Sequence, residues 1–103
     1  MLMPAAIAKQ REIDNKVRVL ARRLRPDVVS IKYEIAPDWS GDWGIFFRIL
    51  LSDEAAEKRL HAVATNASAE LNKTFDFPSL GVIPYPSFRS ESEQAMLRDE
   101  AWA

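Results

Sequence analysis

The sequence predicts an α+β domain of order α-β-β-α: an antiparallel hairpin covered on one face by two helices, followed by an extended C-terminal arm and a short helix. Three observations carry this. Residues 5–25 and 53–73 repeat apolar side chains every three or four positions, residues 28–36 and 44–52 alternate, and only a short loop separates the alternating stretches. A chain of 103 residues, 48% hydrophobic and 28% charged, is the size and balance of one globular domain.

In the first helix, Ile13, Val17, Leu20, Ala21 and Leu24 form the apolar stripe, and Lys and Arg fill most other positions. Pro26 closes it, because the residue before a proline is pushed out of the α region. In the first strand Val29, Ile31, Tyr33 and Ile35 share one face, and Ser30, Lys32 and Glu34 the other. The second strand is apolar on both faces apart from Arg48. If the apolar sets face each other, a register placing Glu34 opposite Arg48 gains a cross-strand ion pair of about 0.2–1 kcal/mol and is preferred. Ser52 is the expected N-cap of the second helix, with Asp53 and Glu54 in its first turn and a stripe of Ala56, Leu60, Val63, Ala64, Ala67 and Leu71.

Residues 75–90, with three prolines and no lasting period, read as an extended, ordered arm, since they are too apolar to stay solvated. Ser90-x-x-Glu93 spells a capping box for a short helix over 91–99. A hairpin with helices on one face is marginal, and Phe46 with Leu50 leave the other face apolar. Something must cover or extend it: a short strand over 80–83, the arm lying across it, or a second copy of the chain. A homodimer is therefore expected.

The net charge of −1 is unevenly spread, about +5 over residues 1–32 and −6 over the rest. No cysteine is present, which removes thiolate nucleophiles, disulfides and thiolate metal sites. The N-terminus lacks a basic signal-peptide start, and no apolar run approaches the roughly 18 residues of a membrane span, so a cytoplasmic protein is expected.

Few residues point to chemistry. Asp38, Ser40 and Asp42 have oxygen-ligand spacing, but the calcium-loop spelling is absent and turn formation is the better account. The single histidine, His61, lies at the margin of a helix stripe with no nucleophile or orienting carboxylate at a useful spacing. Phosphate-binding glycine loops and metalloprotease motifs are also missing. The expectation is a non-enzyme without metal or cofactor. Trp39 and Trp43, flanking a Ser-Gly-Asp turn, are candidate partner contacts, as are Phe88, Arg89 and Trp102 around the last helix. The competing account has these residues packing on their own chain. Arg18, Arg22, Arg23 and Arg25 are the electrostatic candidates, for a small nucleic-acid-binding module or an acidic protein surface.

The stretches RPDVVSIKYEIAPDWSGDWGIFFRILLSDEA and YPSFRSESEQAMLRDEAWA resemble a group of small uncharacterised bacterial proteins encoded beside HEPN-domain proteins. The resemblance covers about half the chain and brings no catalytic motif. It implies an accessory or antitoxin-like subunit that binds a helical, often RNA-cleaving, HEPN-type partner.

Overall fold

The computed structural model describes residues 2–103. Its α+β architecture has six helices: α1 (Ala5–Ala8), α2 (Gln10–Arg23), α3 (Asp53–Lys58), α4 (Leu60–Thr74), α5 (Phe77–Leu80) and α6 (Glu91–Leu97). A three-stranded sheet is built from β1 (Val28–Pro37), β2 (Trp43–Leu51) and β3 (Ile83–Ser90), and a 3-10 turn, Glu100–Trp102, ends the chain. No described helix is long and apolar enough to cross a membrane.

The strand order is β1-β2-β3. β2 is central, antiparallel to β1 and parallel to β3. Its residues facing the helices lie in the core, and on the other face Phe46 is shielded by Tyr85 of β3. A parallel neighbour requires a crossover, which α3, α4 and α5 supply. The arm expected to be extended over 75–90 is extended only in its second half, as the third strand over 83–90 rather than 80–83. Residues 77–80 form α5 instead, capped by Asp76 accepting from the Ser79 N–H, and the sheet is extended by its own chain. Pro84 and Pro86 cannot donate, so a strand containing both must turn its even-numbered backbone positions to the open side. The odd positions remain to bond β2.

The register of β1 on β2 differs from the expectation by two residues. Tyr33 stands opposite Phe47 and Lys32 opposite Arg48, so the apolar sets do face each other but Glu34 lies opposite Phe46. The Arg48 guanidinium still reaches Glu34 diagonally, at 2.8 Å. A β-bulge between Val28 and Ser30 makes a second difference. It turns Val28 into the core and leaves Val29 exposed.

Both long helices cover one sheet face. Ile13, Val17 and Leu20 of α2 and Val63 and Leu71 of α4 share one cluster with Ile31, Ile45, Phe47, Ile49 and Leu51. Phe47 is its aromatic centre, with ring centroids of Phe75 and Phe77 at 6.1 and 6.0 Å. The helix expected over 53–73 breaks at Arg59, whose backbone leaves the helical range. Its guanidinium binds both carboxylate oxygens of Asp27, and Glu54 as well. After the break Val63, Ala67 and Leu71 face the core while Leu60 is 48% exposed, which removes Leu60 from the expected stripe. The first helix is likewise interrupted, at Lys9, and ends at Arg23.

Ser52 caps α3 by accepting from the Ala55 N–H. At α6 the capping box is complete: Ser90 accepts from the Glu93 N–H and the Glu93 carboxylate from the Ser90 N–H.

Candidate functional site

The sheet face away from the helices carries the most distinctive surface. Alternation puts Lys32 and Glu34 of β1, Gly44, Phe46, Arg48 and Leu50 of β2, and Tyr85, Ser87 and Arg89 of β3 on this side. Phe46 stands beside Tyr85 in the parallel register, and their rings stack with centroids 5.0 Å apart. Trp39, from the β1–β2 loop, tilts over the other edge of Tyr85 at 5.4 Å. The result is a three-ring ladder, Trp39–Tyr85–Phe46, whose outermost member is 84% exposed.

Each ring is held in place. Gly44 leaves the space that Tyr85 occupies, since a Cβ there would lie 2.9 Å from Tyr85 Cε2 and 3.0 Å from Phe46 Cε2. The Tyr85 hydroxyl donates to Asp38 Oδ2 at 2.8 Å. The other oxygen of Asp38 accepts from the Ser40 N–H and hydroxyl and from the Asp42 N–H. Asp38 therefore organises the turn and anchors the ladder together. Those hydrogen bonds, first from Ser40 and then from Tyr85, hold its carboxyl below the usual aspartate range, and the same contact raises the Tyr85 phenol. Asp-x-Ser-Gly-Asp is turn chemistry here. Among the described residues no group of three His, Asp or Glu side chains converges as metal ligands would.

Of the five predicted contact residues, Trp39 alone lies open. Trp43 packs against the core, and its indole N–H donates to the Leu2 carbonyl at 3.2 Å. Phe88 faces the helices beside Ile49 and packs on the core. Trp102 is buried, with the Arg89 guanidinium over its ring at 4.5 Å. Arg89 also binds Gln94 and Asp99, at 3.0 and 3.3 Å, so it fastens the C-terminal tail to the sheet. Trp43, Phe88, Arg89 and Trp102 are thus engaged within the chain, because the tail folds back where the sequence left its path open. α6 itself buries nothing, and Met96 and Leu97 are exposed on it.

Of the basic candidates, Arg23 is tied to Glu70 of α4 at 2.7 Å. Arg18 contacts only Asn15, on its own helix, and no ion pair among the described residues involves Arg22 or Arg25. His61 is exposed beside a groove between α4 and β3, with Leu60, Ala64 and Phe88.

Tyr85, Phe46 and Gly44 were not singled out from the sequence as contact residues. Phe46 was visible as an apolar side chain on the outward face of its strand. Tyr85 had no such signal, because its place depends on the parallel pairing of the arm. No family model matches this chain, and no protein of curated function matches it.

Proposed function

We propose that the chain is a non-enzymatic protein-binding subunit, accessory or antitoxin-like, that presents the Trp39–Tyr85–Phe46 ladder to a HEPN-type partner. The observation that carries this reading is a large indole held outside the core by contacts that fix its base. Trp39 is 84% exposed while Tyr85 and Phe46, beneath it, are only partly covered. Rigid aromatic side chains contribute contact area at low entropic cost, which is why they dominate interface hot spots. Asp38 and Asp42, at the Trp39 end of the ladder, would repel phosphates there, so the ladder suits a protein better than a nucleic-acid strand. The HEPN-type partner rests on the sequence resemblance.

The test is co-expression with a HEPN-domain protein of the kind the resemblance implies. Trp39→Ala should weaken the complex by about 2 kcal/mol, or about thirtyfold in Kd, without lowering the melting temperature of the free chain. An unchanged complex, or a variant that loses its fold, overturns the reading. A second reading, a small nucleic-acid-binding module, draws on Arg18, Arg22 and Arg25. It requires RNA or DNA binding that falls steeply with salt and weakens in Arg22→Ala with Arg25→Ala.

A further inference from the structure

The two edges of the sheet are not equivalent. On β3 the open side holds Pro84 and Pro86, which remove two donors from the ladder of any added strand. On β1 the edge is intact. The Asp38 N–H donates to the Asp42 carbonyl at 2.7 Å, so hydrogen-bonded pairs with β2 continue through the even positions of β1. The N–H and C=O groups of Ile31, Tyr33 and Ile35 then point away from the sheet, and no other hydrogen bond among the described residues uses them. Above this edge runs a groove of about 670 Å³, between residues 31–35 and the flank of α2 that carries Gln10, Asp14 and Arg18.

We infer that this edge pairs with the β1 strand of a second copy, antiparallel and centred on Tyr33. The side chains select that register. Pairing shifted by one residue would set the helix-facing residues against the solvent-facing ones. Pairing centred on Lys32 would oppose two lysines, and pairing centred on Glu34 would oppose two glutamates. Centred on Tyr33, Lys32 of each copy stands opposite Glu34 of the other, and Ile31 opposite Ile35. Glu34 already accepts from Arg48 at 2.8 Å, so the added lysine completes a three-member charge row across the junction. The antiparallel arrangement also brings Arg18 of one α2 towards the Gln10–Asp14 end of the other and keeps the two arginine-rich C-terminal ends apart.

The product is a closed dimer with one six-stranded sheet, terminated at both ends by proline-bearing strands. Its two-fold axis is normal to the sheet, so both aromatic ladders lie on the same side. This adds to the proposed partner binding a bivalent face, with Lys32, Glu34 and Arg48 between the ladders.

The test uses the full chain in sedimentation equilibrium and amide hydrogen exchange. The expected result is a dimer whose Ile31, Tyr33 and Ile35 amides are protected together. Lys32→Glu and Glu34→Lys should each raise the dimer dissociation constant about tenfold or more and release those three amides, while thermal unfolding shows that the monomer fold is kept. An equimolar mixture of the two variants should restore the dimer, since each then supplies the charge the other lacks. A monomer at all concentrations up to about 100 µM, tenfold above the roughly 10 µM Kd of a weak dimer, overturns the inference, as does a dimer indifferent to both variants or a mixture that stays monomeric. Partner binding by a Trp39-bearing monomer would leave the proposed function standing while the dimer fell.

Discussion

Gly44 shows how one residue can decide a surface. Within a strand a glycine normally weakens pairing, yet near the start of β2 its missing side chain lets Tyr85 lie over the strand and stack on Phe46. Gly44→Ala puts a methyl within 3 Å of both rings. Because these rings are side chains on an open face, they can swing away, so the expected cost is about 1–3 kcal/mol of stability together with loss of the ladder. Near-UV circular dichroism should show reduced aromatic signal while far-UV signal persists. An unchanged near-UV spectrum would mean that the stack tolerates the methyl and is not set by Gly44. Asp38 works by a different physics, satisfying turn N–H groups with one oxygen and Tyr85 with the other.

At the level of elements, the tail is anchored by the buried Trp102, and its helix α6 is attached by polar contacts rather than burial. α6 contributes no buried residue, and what holds it is its capping box, the Arg89–Trp102 contact and a pair of hydrogen bonds from Ser92 to Asp53 of α3. The Ser92 hydroxyl and N–H hold the Asp53 carboxyl below its ordinary value of 3.8. A carboxyl depressed in the folded state favours folding fully above its unfolded value and loses that contribution as pH falls through the folded one. The tail should therefore be firmly docked near neutrality and loosen below about pH 4. Trp102 emission, followed with Trp39 and Trp43 replaced by Phe, should shift to the red in that acid range. In Asp53→Asn the shift should already be present at pH 7 and the acid step diminished. An identical acid profile in that variant would place the tail's pH response elsewhere.

For the whole molecule, the consequential feature is the asymmetry of sheet edges. One edge offers unpaired backbone groups along Ile31, Tyr33 and Ile35, and the other is stopped by proline at alternate positions. Growth by strand addition can then proceed once and no further. Replacing Pro84 with Val and Pro86 with Thr restores donors to the outer edge of β3 without changing which side chains face the core. Light scattering of that variant should show species that grow beyond a dimer with concentration. A mass that stays fixed would show that the prolines are not what limits assembly.

The sequence alone determined the two long helical stretches and the short C-terminal helix, though not their breaks at Lys9 and Arg59 or the turn of α5, along with the two hairpin strands, the caps at Ser52 and Ser90 and most of the apolar set that builds the core. These follow from local periodicity and from side chains reaching their own backbone a few residues away. It also marked Trp39 and Trp43 as candidates for an exposed position, though not which of the two would stay open. Tertiary structure alone decided the pairing of the arm with β2, the two-residue shift of the hairpin, the turn of Leu60 out of the core at Arg59, and the assembly of Trp39, Tyr85 and Phe46 into one ladder. The physical reason is range: residues 39, 46 and 85 meet only because a parallel strand returns through a helical crossover, and no periodicity within a segment encodes which distant edge that segment will join.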